Sequence, residues 1–461
     1  MLSGGDTVKI KYENLKIRRN IIIWGTGRIM ERYYPMLDPT LDITAFCNSF
    51  SNKWMENFRD SLPCISKDRL THENTVLIAI ENMDDIRTVS EEMDRKGICY
   101  CHIFEAAKTY LSISDERVVR MCIRNKGIDY PEKIIKYIDC SVPYNACNLK
   151  CRYCYVRQHA DFRNNELLLH SPEFIRCALS KERLGGRVLI NFCGVGETLL
   201  CRELIPIVKE LLEEGHYIHI VTNGTVGKAF DKILEKNLDY SHMFFKFSFH
   251  YLELKRLGLL KVFSENVMRV WNAGCSISVE LVADDSVIPF IEEIKEFSKK
   301  HFGALPHCTI PRDDTVSNLD VLTEKSLDEF KKIWEQFDSD LFNYKMKILN
   351  EKRTEDCKAG LYSFFMNLES GDAWKCTNNP YLDNLYEDLN REISFKKIGH
   401  ECCLPFCYNG HAWLTLGCIE ELEAPTYYEM RDRKTVDGQH WISDTMRNVF
   451  SQKLYVNNKV N

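Results

Sequence analysis

Tyr137-Ile-Asp-Cys-Ser-Val142-Pro-Tyr-Asn-Ala-Cys147-Asn-Leu-Lys-Cys151-Arg-Tyr-Cys154 is the stretch on which the reading of this chain turns. A strand-length run, Tyr137–Val142, stops at a proline and gives way to three cysteines spaced CxxxCxxC. Cysteine thiolate is the standard ligand of iron–sulfur clusters, so three thiolates within eight residues can bind three irons of a 4Fe-4S cube. No fourth cysteine follows at short spacing. One iron is left open to a ligand that is not protein, which points to chemistry at the cluster rather than electron storage alone. A zinc knuckle would pair its first cysteines with a second pair or with histidines.

Strand-then-turn recurs on the C-terminal side. Runs at Arg187–Phe192, Tyr217–Val221, Phe244–Phe249, Cys275–Val282 and Pro306–Ile310 alternate with helical patterns up to about Leu349. This is the βα repeat of a parallel barrel, in which chemistry gathers at the C-terminal ends of strands. Those ends carry Cys193-Gly194-Val195-Gly196-Glu197, Thr222-Asn223-Gly224, and Ser248 followed by His250.

Taken in order, these segments resemble the radical S-adenosylmethionine (SAM) superfamily. The resemblance implies that SAM chelates the open iron and that the cluster cleaves it reductively to a 5'-deoxyadenosyl radical, which abstracts hydrogen from a substrate C–H bond. It implies Tyr153 beside the adenine, Gly196 and Glu197 in a glycine-glycine-glutamate motif that meets the SAM ammonium, and Asn223 and Ser248 as further SAM contacts. Val195 replaces one usual glycine. Glu197 is also what a helix N-terminus favours on its own. His250 is a candidate catalytic residue, or a strand-end histidine with an ordinary partner.

A second cysteine array begins at Cys357. Cys357-x₁₃-Gly371-x₄-Cys376 is similar to the opening of the SPASM and twitch extensions of that superfamily, and Cys402, Cys403, Cys407 and Cys418 follow. The full seven-cysteine SPASM pattern is absent. The resemblance implies one auxiliary 4Fe-4S cluster on Cys357, Cys376, Cys403 and Cys407, with Cys402 or Cys418 as substitutes; a four-cysteine zinc cage is the rival, and two clusters on unusual spacing a third reading. Tyr362–Trp374 is expected as a β-hairpin, the segment Tyr408–Gly417 as another hairpin strand, and Tyr427 with Arg431-Asp432-Arg433 as a compact polar group that either closes over the barrel mouth or, the preferred reading, forms a solvated helix face. Ser443 should cap a last helix reaching about Leu454.

Upstream, Ile21-Ile-Ile-Trp24-Gly25-Thr-Gly27 is a short strand and glycine turn opening a doubly wound sheet. The dinucleotide fingerprint is incomplete. Met30 holds the third glycine position, and Cys47, Asn48 and Ser49 stand where an acid would bind a ribose. The glycines are expected to serve the turn alone.

The expected fold is α/β: a Rossmann-like domain (18–125), a partial (β/α)6 TIM-like barrel (133–349), a cysteine-rich β-hairpin/helix extension of SPASM/twitch type (350–425) and a helical tail (426–461). The chain has 461 residues, is 44% hydrophobic and 28% charged, and carries a net charge of −6. That charge favours neither nucleic acid nor an anionic membrane. The start, Met1–Asn20, has no apolar signal segment, and no apolar run is long enough for a bilayer. A cytoplasmic protein follows, with reduced thiols, so that clustered cysteines among its 20 read as metal ligands. The expected activity is oxidoreductase-type radical chemistry on a sugar, nucleotide-sugar or other small molecule, or else maturation of a ribosomal peptide. Flavodoxin or ferredoxin would supply electrons.

Overall fold

The computed structural model describes residues 9–80, 82–122, 130–158, 168–235, 237–316, 319–377, 380–407 and 410–459. It divides into two units, 1–125 with 163–174, and 126–162 with 175–461.

The first unit is a six-stranded sheet of β1 (Ile21–Trp24), β2 (Ile43–Asn48), β3 (Met55–Arg59), β4 (Leu62–Ser66), β5 (Thr75–Ile78) and β6 (Cys99–His102). The order is β3-β4-β2-β1-β5-β6, all parallel except β3 at the edge. β1 and β5 are buried along their whole length, as central parallel strands must be. Helices Met83–Lys96 and Ile103–Cys122 follow β5 and β6. The core begins before residue 18, since Ile10, Tyr12 and Leu15 are part of it. Gly25 sits at φ +129, and a Cβ there would stand 2.1 Å from the carbonyl oxygen of Ala79. The turn therefore demands glycine at that position. Met30 is 1% exposed and fills the place where a dinucleotide fold packs its helix on glycine.

The second unit is built on a nine-stranded sheet. Six parallel strands, β7 (Ile134–Val142), β8 (Arg187–Gly194), β9 (Tyr217–Thr222), β10 (Met243–Phe249), β11 (Ser276–Val282) and β12 (His307–Thr309), run in sequence order. Helices Leu204–Glu213, Gly227–Leu234, Leu260–Asn272 and Ile291–Phe302 join successive strands from β8 to β12. This is an open, partial TIM-like barrel. Beyond β7 the sheet continues through β13 (Ser363–Asn367), β14 (Asp372–Trp374) and β15 (Tyr381–Asn384). β13 lies parallel to β7 and forms the expected hairpin with β14. The extension is thus continuous with the barrel sheet.

Inward side chains of β7–β11 form layers. Near the strand starts, Tyr137, Leu189, Tyr217 and Phe244 pack with Trp413, Tyr427, Met446 and Phe450 from the chain's last part. One layer up, Asp139 is in register with Asn191, and Asn191 with His219.

Three expectations fail here. Of Tyr408–Gly417, Tyr408 and Asn409 lie outside the described residues, and His411–Thr415 is a helix ended by Gly417 at φ +86. A short apolar run does not distinguish strand from buried helix. Tyr427 and Arg431 are 1% and 2% exposed, not solvated. Arg431 is ion-paired with Glu280 of β11, a partner far away in sequence. Ser443 does cap a helix, but it is only Asp444–Phe450, with Leu454–Asn457 as a separate turn. Among the described residues no helix is long and apolar enough to cross a membrane.

Candidate active site

The cysteine loop leaves the C-terminal end of β7 and is held down by the segment that leaves β8. Gly196 N–H donates to the Tyr144 carbonyl at 2.8 Å, and Glu197 N–H donates to that of Ala146 at 2.9 Å. A Cβ on Gly196 would stand 2.2 Å from the Ala146 oxygen. Glycine here is therefore what lets the two loops touch. Lys150 N–H donates to Glu253 at 2.8 Å and anchors the middle of the loop. Cys147 is exposed, Cys151 buried and Cys154 between the two. Burial raises the Cys147 thiol and pushes Cys151 up to about 12, and both feel Cys154. Iron binding at such thiols displaces their protons.

Glu197 is a hub. Its carboxylate accepts from Thr222 Oγ1 at 2.5 Å, Asn223 N–H at 2.7 Å and Leu199 N–H at 3.1 Å. It is 2% exposed, and burial raises its pKa. Asn223 Nδ2 in turn donates to Asn148 Oδ1 at 2.8 Å, inside the cysteine loop. The Glu197, Thr222-Asn223 and cysteine segments are one network. The Glu197 side chain faces protein donors, so the acceptors it leaves for an ammonium group are backbone carbonyls of its loop.

Tyr153 reaches His250 across the strand ends, its hydroxyl 2.9 Å from Nδ1. Burial pulls His250 down to about 4 and raises Tyr153 well above the usual phenol range. Ser248 is half-buried on β10, in register with Glu280 of β11.

Below this rim lies a polar layer. Asn191 Nδ2 donates to Asp139 at 2.7 Å, and Lys246 Nζ is 3.5 Å from Glu280. Asp139 is pushed up to about 6 by burial, and Lys246 is pulled down to about 8, also chiefly by burial. In the sequence these residues lie inside runs that read only as strands. The available signal was a polar residue at every second position of otherwise apolar strands, which also describes a strand with one wet face.

In the extension, Cys357 exchanges backbone hydrogen bonds with Gly399 at 3.1 and 2.9 Å. Cys357, Cys376, Cys402 and Cys407 all pack against one apolar core, whereas Cys403 is exposed. Burial pushes Cys357 up to about 11 and Cys407 to about 12, and Cys402 acts on both. Cys418 is fully buried, 3.1 Å from Ser363 Oγ. Gly371, at φ +73, faces the Tyr386 ring, where a Cβ would come within 2.3 Å. Among the described residues no three His, Cys, Asp or Glu side chains converge as around one metal ion.

Residues 141–268 match the family model described as the Radical SAM superfamily, and that span holds every rim residue named above except Glu280. No curated protein matches. Among solved structures, the chain is similar to native anSMEcpe with bound AdoMet, at TM-score 0.40 and 14% identity over 56% of this chain and 80% of that one. It is similar to SuiB of Streptococcus suis at TM-score 0.38 and 14% identity, over 70% and 78%. It is similar to BtrN in complex with AdoMet and 2-DOIA at TM-score 0.29 and 15% identity, over 56% and 81%.

Proposed function

Because this chain is a radical SAM enzyme, its domain spanning residues 141–268, we propose that it removes a hydrogen atom from a C–H bond of a sugar, nucleotide-sugar or other small molecule. A radical SAM domain uses a 4Fe-4S cluster and SAM. Bound together, these supply a 5'-deoxyadenosyl radical able to attack carbons that no acid or base in the chain can deprotonate. Cys147, Cys151 and Cys154 would hold the cluster. The fit rests on the loop that carries them, which is pinned by Gly196, Glu197, Asn148 and Lys150. Backbone carbonyls between Gly194 and Gly196 are the acceptors for the SAM ammonium, while Glu197 keeps Thr222 and Asn223 in place. Tyr153, locked onto His250, offers a ring face for adenine. Ser248 faces the ribose.

A second cluster would sit on Cys357, Cys376, Cys407 and Cys402. Cys402 is preferred to Cys403 because it faces the same core as the other three. A flavodoxin or ferredoxin is the electron donor in this reading.

The small-molecule substrate rests on one observation: the barrel interior is lined, a layer below the cysteine loop, by buried polar side chains whose hydrogen-bonding capacity is not filled. The test is 5'-deoxyadenosine formation by the reconstituted full chain against a panel of nucleotide sugars, sugar phosphates and short peptides. Acceleration by a small molecule is expected. Acceleration by peptides alone would assign the enzyme to peptide maturation.

A further inference from the structure

Among the described residues, the polar layer inside the barrel holds three basic side chains, Arg431, Lys246 and Lys345, and two carboxylates, Glu280 and Asp139. Arg431 and Glu280 are ion-paired at 2% and 3% exposure. Lys246 lies 3.5 Å from the same carboxylate and also faces Asp139. Asp139 is held by Asn191 and is pushed toward its neutral form by burial. Among the described residues the partner of Lys345 is neutral, Thr309 Oγ1 at 2.6 Å. Among the described residues the charged groups that act on it are Arg312 and Lys246, both cationic. Burial lowers Lys345 well below the usual ammonium range, as expected of a cation lacking a counter-charge.

Open hydrogen-bonding positions surround these cations. Both ring nitrogens of His219, at 2% exposure, lack a partner, as does Ser278 Oγ at 0%. His411 accepts from Arg431 at 3.0 Å through Nε2, and its buried Nδ1 is unpartnered. His411 lies within the electrostatic reach of Lys345, Lys246, Arg312 and His219, so these groups share one neighbourhood. Buried polar atoms without partners are uncommon in folded proteins. Lys345 and Lys246 are half-buried, and a partly desolvated cation gains from an anion that pairs with it.

We propose that this layer seats an oxyanion of the substrate, a carboxylate or a phosphate, between Lys345 and Lys246, with His219, His411 and Ser278 completing its hydrogen bonds. The inference rests on the radical SAM reading and adds to it that the substrate is anionic. The adjoining Cys193 feels both Lys246 and Glu197, which puts the seat next to the loop that pins the cysteines.

The reconstituted full chain is titrated with inorganic phosphate, followed by phosphorus NMR line width, and separately with acetate, followed by carbon NMR, at constant ionic strength. Saturable binding of one anion per chain is expected, and the tighter of the two names the substrate group. Lys345→Met should weaken binding by roughly 30-fold, Lys345→Arg should retain it, and the exposed Lys299→Met should leave it unchanged. If Lys345→Met does not fold, as judged by thermal melting, Lys246→Met serves in its place. No saturation by either anion, or parent-like binding in the folded methionine variant, overturns the proposal. 5'-Deoxyadenosine formation in the same samples separates the two claims: formed without anion binding, only the anion seat falls; absent while the anion binds, only the radical reading falls.

Discussion

Gly196 decides whether the cysteine loop can close. Any side chain there meets the Ala146 carbonyl, so Gly196→Ala must push the loop away by over an ångström. Overpacking of this kind destabilises by about 1–3 kcal/mol. The expected result is loss of roughly half the iron and of SAM cleavage in a chain that still folds, measured by iron analysis and circular dichroism. Lys246 yields a pH signature. It faces Asp139, Cys193, Glu280 and Arg431. Its folded pKa of about 8 lies below the unfolded value of about 10.4. The folded state therefore binds fewer protons between these values, and stability rises with pH across that window. The effect is ~3 kcal/mol at most. Thermal melts from pH 8 to 10 should show the parent gaining on Lys246→Met, and parallel curves would refute the assignment. At this scale the sequence exposed the cysteines, Gly196, Glu197 and Asn223, because local spacing carries them. It hid Asp139, His219 and Lys246 and put Arg431 on a solvated face, because their meaning lies in partners brought together from separate elements.

Elements were legible where apolar runs were long. The six barrel strands stand within a few residues of expectation, since each is mostly buried and bounded by turns. β3 is largely exposed and β6, Cys-Tyr-Cys-His, lacks the aliphatic run of β1, so neither carries a pattern that separates it from a loop. The helix at His411–Thr415 was taken for a strand because five residues are too few to reveal a period. The β13–β14 hairpin was legible through Gly371, whose positive φ and contact with Tyr386 leave no room for a side chain. Gly371→Ala should unseat Cys376. The expectation is a fall of about four irons per chain from about eight, with the Cys147 cluster spared. Unchanged iron would mean that the hairpin does not position an auxiliary cluster.

At the scale of the whole molecule, the chain divides into one unit built on a six-stranded sheet and one built on a nine-stranded sheet. What the sequence could not show is that 363–384 extends the barrel's own sheet, since strand pairing over such separations leaves no local mark. The return of 163–174 to the first unit was invisible for the same reason. The sheet brings the cysteine loop, the Glu197 hub and the Tyr153–His250 pair to one end of its strands, with the polar layer of Asp139, Asn191, Lys246 and Glu280 beneath. The account stands on radical generation at that end. Its most direct test is 5'-deoxyadenosine formed from SAM and dithionite by the anaerobically reconstituted chain, beside a variant with Cys147, Cys151 and Cys154 all changed to alanine. The intact chain is predicted to form 5'-deoxyadenosine and the variant none. No product from the intact chain, or equal product from both, would contradict it.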